Sequence, residues 1–396
     1  MSFLLFFRLT RFLFLRIFYL IKIYIYFFKT KNPFLNLIYL ILFIIILFSI
    51  NFLSYFQQKQ HFPLLPFCEK NSLNYFYKIY SLSEYPQPDP TPLNWINIKF
   101  KLEPSINSIS LNLCKINKFN YFSSLFVVVI SKLEHFKRRS LLRAQFKDNG
   151  ITSFIFVLAA ANASTNIIEA IHTEANKEQD LLVLANLEEN YRLLTYKTRA
   201  WLQWLVDNFD EICGPPRFLL KIDDDVMVNW NALSRLLQRA GPNPKKLLFC
   251  RAIPNGQISR NPASKWFLSS REYKRNKPRG LGLYCQGMAI LLSGDLLRSA
   301  LANIKLVQFL WMDDWYLTHA LLFNTNVTFV DIAPQVQSID EETKFKQKDV
   351  GLSLNVYYTP IFAHFRPAEH FPQTRKLREW KKMLDIKPKS TKTCIL

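Results

Sequence analysis

Phe218-Leu219-Leu220-Lys221-Ile222-Asp223-Asp224-Asp225-Val226-Met227-Val228-Asn229 is the stretch on which the reading of the chain turns. An apolar run of strand length ends in three consecutive carboxylates, then resumes with apolar residues. Adjacent carboxylates repel unless a cation or solvent offsets them. A solvated acidic turn is the bland reading. The apolar flanks and the basic character of the rest of the chain count against it. Hard divalent ions take oxygen ligands, so Asp223, Asp224 and Asp225 at a strand end suggest magnesium or manganese. An EF-hand is excluded, because no Asp-x-Asp-x-Asp-Gly with a closing glutamate is present. A metal so held can in turn hold a diphosphate and neutralise its charge as it departs.

Short β-branched and apolar runs recur on both sides of this strand. Phe126–Ile130, Phe154–Leu158, Asp180–Leu184, Leu247–Cys250, Ala289–Leu292 and Val327–Val330 read as further strands. Helical patterns lie between them: a basic one through Arg143, then Ile167–Glu178, Tyr191–Phe209, Asp295–Asn303 and Trp315–Phe323. Strand–helix alternation at this spacing predicts an α/β domain with a mostly parallel central sheet flanked by helices. Ligands of such sheets bind at the carboxyl ends of strands. The domain is expected over residues 122–385, followed by a basic tail at 386–396.

The 396-residue chain carries 51 Lys and Arg against 30 Asp and Glu, and 49% of its residues are hydrophobic. Residues 1–68 contain seven bases and no acid. No charge occurs from Asn32 to Gln58, and the apolar run there is long enough for a membrane-spanning helix. Six of the seven bases precede it and Lys59 alone follows closely, which places the N-terminus on the cytoplasmic side. The expected organisation is a cytoplasmic basic and apolar tail (1–32), a transmembrane signal-anchor (33–56) and an extended stem on the far side (57–121). That topology argues against nucleic acid as the partner of the basic body. Nine glycines, none before Gly150, fit neither a dinucleotide fingerprint nor a P-loop. The absence of C-x-x-C makes zinc unlikely, and Cys213, Cys250 and Cys285 are free to pair in an oxidising compartment. Asn162-Ala163-Ser164 and Asn326-Val327-Thr328 are glycosylation sequons that the expected topology makes usable.

Several motifs in order resemble one family. Arg138-Arg139-Ser140-Leu141-Leu142-Arg143, Glu174 with Asp180, Tyr191–Thr198, Cys213, Lys221–Asn229, Tyr284-Cys285-Gln286-Gly287 and Met312–Tyr316 are similar to motifs of the β-1,3-galactosyltransferases (glycosyltransferase family 31, relatives of Fringe and the β-1,3-N-acetylglucosaminyltransferases). Departures such as Asp313 for Glu, Trp315 for Val and Thr318 for Gly mark a divergent member. The resemblance implies a GT-A fold and transfer of a hexose, galactose or an N-acetylhexosamine, from a UDP-sugar to a glycoprotein or glycolipid glycan. It implies β-1,3 linkage, inversion, manganese or a similar ion, and a type II Golgi membrane protein. Asp314 would be the general base, with Asp313 its rival. A helix cap is the structural reading of that pair. His364 would complete the metal shell of Asp223, Asp224 and Asp225. Arg138, Arg139, Arg143, Asp180 and Lys221 would serve the nucleotide-sugar, against a solvated helix face as the alternative for the arginines. A catalytically inactive relative acting as a lumenal binding or chaperone partner is the competing function.

Overall fold

The computed structural model describes residues 77–85, 88, 97–106, 121–274, 280–340 and 359–366. The chain divides into units 1–69 and 70–396, and everything described belongs to the second. The expected tail, signal-anchor and C-terminal tail lie outside the described residues. Among the described residues no helix is long and apolar enough to cross a membrane.

The centre of the sheet is built from the most hydrophobic runs. β3 (Leu125–Ile130) is buried along its whole length, and β4 (Phe154–Ala159), β5 (Leu181–Leu184) and β6 (Phe218–Asp223) are nearly so. Runs without alternation are what strands covered on both faces require. β3 shows the two faces. Phe126 and Val128 pack into one core with Trp201, Trp204 and Leu205 of the helix Leu194–Asp207. Leu125, Val127 and Val129 pack into another with Leu142 and Phe146 of the helix Phe136–Asp148, and Leu233 and Leu236 of Trp230–Arg239. In chain order these helices are α1 (Phe136–Asp148), α2 (Thr165–Glu178), α3 (Leu194–Asp207), α4 (Trp230–Arg239) and α5 (Leu296–Asn303).

The sheet is mixed, which corrects the expectation of a mostly parallel one. With β1 (Lys78–Ser81), β2 (Phe100–Leu102), β8 (Leu247–Cys250), β11 (Ala289–Ser293) and β12 (Thr328–Asp331) added, the order is β1-β12-β8-β11-β6-β3-β4-β5-β2. β6, β3, β4 and β5 run parallel, as do β8 and β12. β11 runs antiparallel to both β6 and β8, and the edge strands β1 and β2 are antiparallel to their neighbours. Hydrophobic runs mark strands but not their direction. β1 and β2 fall within the segment expected as an extended stem, and both close edges of the sheet.

Two small sheets extend the strand ends. β7 (Val226–Val228) pairs with β14 (Phe362–Arg366), which lies parallel to β13 (Val336–Asp340). β9 (Ala252–Gly256) pairs with β10 (Gly282–Cys285). A disulfide joins Cys250, at the end of β8, to Cys285, at the end of β10, and Cys213 is disulfide-bonded as well. Two of the three cysteines expected to be available thus pair with each other. α6 is a single turn, Asp313–Trp315, continued by a π-type turn at Tyr316–Ala320.

Candidate active site

The three aspartates stand where β6 ends and β7 begins, and their backbone fans them in different directions. Asp224 points back to the start of α1. It accepts hydrogen bonds from the Ser131 hydroxyl at 2.7 Å and from Arg138 Nη1 at 2.8 Å, and its Oδ2 lies 2.7 Å from His135 Nδ1. Burial alone would raise its pKa. The bonds and charges of His135 and Arg138, with the Ser131 hydroxyl, win and hold it down at about 2. Asp224 is thereby a fixed anion that ties the strand end to α1.

Asp225 shares Arg138 with Asp224 but meets a different second partner. His364 stands opposite Val226 in the β14–β7 register, which brings its Nε2 to 3.2 Å from Asp225 Oδ1. That oxygen is buried and makes no hydrogen bond. Arg138 Nη1 lies 3.7 Å from the other carboxylate oxygen. A buried, unbonded carboxylate oxygen beside an imidazole nitrogen is a donor set that suits manganese or a similar divalent ion. Among the described residues no group of three or more His, Cys, Asp or Glu side chains is gathered to hold a metal. Magnesium-like ions held beside phosphates commonly take only one or two protein carboxylates, the rest being water and phosphate oxygens. The paired donors of Asp225 and His364 are compatible with such an ion.

Lys221 is buried on β6 and links three parts of the cleft. Its ammonium donates to the Gly287 carbonyl at 2.8 Å and to Asp223 Oδ1 at 3.0 Å, and lies 3.4 Å from Asp313 Oδ2. Burial opposes its charge, yet the surrounding carboxylates raise its pKa above the ordinary lysine value. Asp223 is pushed up to about 6, first by burial and then by Asp225 and Asp313, against the pull of Lys221. With 37% of its side chain open to solvent, water tempers that shift.

Asp313 and Asp314 open the turn α6. Asp314 Oδ1 accepts from the Trp315 backbone N–H at 2.7 Å, within the turn, whose N-cap position is Met312. The Thr318 hydroxyl donates to its carbonyl at 2.6 Å and in turn accepts from Cys285 N at 3.0 Å. Gly287 passes so close that an added Cβ would stand 3.1 Å from Asp314 Cβ. Burial, then the charge of Asp313, raises Asp314 to about 7. The single turn supplies little dipole against this, and the like charge of Asp313 outweighs it. A carboxyl poised near neutrality beside a strand-end carboxylate cluster is suited to taking up a proton.

The remaining expected nucleotide-sugar residues go elsewhere in the fold. Arg139, wholly buried, forks onto both oxygens of Glu174 at 2.9 and 2.6 Å and reaches the Leu133 carbonyl at 3.0 Å. Arg143 forks onto Asp180, both bonds at 2.7 Å, and pairs with Glu174 at 2.7 Å. Burial keeps Asp180 above its ordinary value despite Arg143, whereas the two arginines overcome burial and lower Glu174. These groups brace α1 against α2 and the start of β5. Arg138 alone of the three bonds an aspartate of the triplet directly, while Arg139 meets the Ser131 hydroxyl at 3.4 Å, one bond away from Asp224. Asn162 and Asn326 are both exposed, in loops with left-handed backbone.

Sequence reasoning did not single out Ser131 and His135, which fix Asp224, and gave Lys197 no role beyond its place in the Tyr191–Thr198 motif, whereas its buried ammonium donates to the Ser131 carbonyl at 2.8 Å and to Glu189 at 2.6 Å. Their partners lie at the end of β3 and beyond β5, a proximity that only the sheet order creates.

Residues 137–333 match the family model described as Galactosyltransferase, so the chain carries a domain of that kind. It is 24% identical over 198 residues to β-1,3-galactosyltransferase 1 of Mus musculus, covering 48% of this chain and 58% of that protein. It is 28% identical over 204 residues to acetylgalactosaminyl-O-glycosyl-glycoprotein β-1,3-N-acetylglucosaminyltransferase of Homo sapiens, covering 49% of this chain and 50% of that protein. The chain thus spans little more than half the length of these relatives. Among solved structures, galactosyltransferase LgtC in complex with donor and acceptor sugar analogs aligns with 65% of this chain and 99% of its own, at 14% identity and a TM-score of 0.33.

Proposed function

We propose that this protein is a GT-A type hexosyltransferase that moves galactose or an N-acetylhexosamine from a UDP-sugar to a glycan acceptor, in β-1,3 linkage and with inversion. The observation that carries this reading is Asp314: a carboxyl held near neutrality, coupled through Asp313 and Lys221 to the end of β6, inside a galactosyltransferase-family domain. In the proposed reaction Asp314 takes the proton of the acceptor hydroxyl. The hydroxyl oxygen forms a bond to the anomeric carbon as the bond to the diphosphate oxygen breaks, and the electron pair leaves with the diphosphate. Attack from the face opposite the leaving group gives inversion. Lys221 orients Asp313 and Asp223. Asp225 and His364 would hold manganese or a similar ion, and Arg138 stands beside them to face negative charge. Such an ion, when bound, neutralises charge on the departing diphosphate.

A Golgi membrane setting, type II with a lumenal domain, belongs to the same proposal. The charge-free run at 32–58, the Cys250–Cys285 disulfide and the exposed sequons support it. The test is UDP release by the purified full chain across a panel of UDP-sugars, with and without manganese. Release from at least one donor, dependent on metal and acceptor, is expected. No release from any donor would overturn the reading in favour of a non-catalytic relative.

A further inference from the structure

Among the described residues three large hydrophobic side chains stand exposed: Leu306, Tyr191 and Trp266. The last two belong together. Tyr191 is 44% exposed and begins the turn leading into α3, and Trp266 is 50% exposed in the connection between β9 and β10. The Lys265 ammonium links them, 4.0 Å from the Tyr191 ring centroid and 5.9 Å from that of Trp266.

Their placement is held from below. Tyr191 packs on Trp311 with ring centroids 5.9 Å apart, and Trp311 stands two residues before Asp313. The Arg192 guanidinium covers Trp311 at 4.7 Å and pairs with Glu272 at 3.0 Å. The Arg192 bond to the Phe267 carbonyl fixes the residue after Trp266. Burial, with the charges of Asp314, Asp313 and Asp223, raises the Tyr191 phenol to about 12. Through Trp311, Tyr191 stands next to the turn that carries Asp313 and Asp314, the carboxylates proposed to do the chemistry.

Exposed Trp and Tyr rings next to a reactive carboxyl lose unfavourable hydration only when a ligand covers them. A pyranose offers the matching surface: a C–H face that is apolar and a rim of hydroxyls. The rings can take the face, while Lys265, Arg192 and Glu272 border them with groups that hydrogen-bond hydroxyls.

We propose that Tyr191 and Trp266 form the floor of the acceptor subsite, where a hexose ring of the acceptor glycan stacks by its C–H face beside Asp313 and Asp314. The proposal rests on the transferase reading for its role, but the stacking itself can be measured alone. Saturation-transfer NMR on the full chain, with methyl β-galactoside, methyl β-N-acetylglucosaminide and methyl α-N-acetylgalactosaminide as probes, reports binding without a donor. At least one probe is expected to bind through its ring C–H protons. Trp266→Ala should weaken it about tenfold, as loss of a good aromatic contact does, and Trp266→Phe should restore most of the loss. Leu306→Ala, at the third exposed apolar side chain, serves as the unchanged control. Absence of binding to all probes, or binding that Trp266→Ala leaves intact, overturns the proposal. UDP release separates the two ideas. Sugar binding that needs Trp266 without any UDP release sinks the transferase reading alone. UDP release with sugar binding indifferent to Trp266 sinks the subsite alone.

Discussion

Asp314 is in tension between what its chemistry needs and what its surroundings allow. An ordinary aspartate ionises near 3.8, and this one is pushed up to about 7 by burial and by Asp313. Transfer should therefore rise from pH 6 to pH 8 and level off as the base loses its proton, seen in kcat/KM against pH. A flat profile would remove Asp314 from the role. Asp314→Asn should lower transfer by about 10²–10⁴-fold, the range of a positioned base. The same carboxyl destabilises the fold once charged, because its pKa is higher folded than unfolded. The penalty is absent below about pH 4 and complete above about pH 7. Asp314→Asn should therefore melt above the parent protein at pH 8, with the difference vanishing at pH 4. Asp224 has the opposite sign: its pKa is lowered to about 2, so the stability it adds is present at neutral pH and is lost as acid brings the pH down through that value. At the proposed metal site, Asp225→Ala should abolish manganese-supported UDP-sugar binding in calorimetry while the melting curve stays cooperative. Undiminished binding would count against Asp225 as a ligand.

At the scale of elements, the bracing of α1 decides what its arginines do. Arg139 and Arg143 bind Glu174 and Asp180 through charge-assisted forks, the geometry in which arginine is strongest. Removing one partner of a buried pair leaves the other charge uncompensated. Arg139→Ala should cost about 3–5 kcal/mol in urea unfolding. If Arg139 also serves the nucleotide, the Kd for UDP will rise in the fraction that remains folded. If it is purely a brace, that Kd will stay within twofold while the urea midpoint falls.

Across the whole molecule, the Cys250–Cys285 bond ties the β9–β10 pair to the end of β8 and spans 35 residues of chain. Chain entropy gives such a loop about 4 kcal/mol, so Cys285→Ser should lower the melting temperature and loosen the connection that carries Trp266. The proposed lumenal setting has its own readout at this scale. Endoglycosidase treatment of cell-expressed protein should speed its migration, with Asn162→Gln and Asn326→Gln each removing part of the shift. Unchanged migration of the parent protein would argue against that topology.

The sequence by itself determined the strands β3 to β6, the helices α1 to α3 and the acidic strand end, because continuous apolar runs and 3.6-residue periodicity are local signals. It also set Asp313 and Asp314 at a turn start, where acidic residues are favoured. The strand directions were not legible, since a buried strand has the same composition in either sense. β1 and β2 were missed because edge strands are short and carry little periodicity. The division of labour within the aspartate triplet was decided only by tertiary structure: the β3–β6 pairing brings Ser131, His135 and Arg138 to Asp224, and the β14–β7 register brings His364 to Asp225. The pKa of Asp314 was decided the same way, because burial and the reach of Asp313 and Lys221 depend on how the strands and loops close around it, and no local pattern encodes that closure.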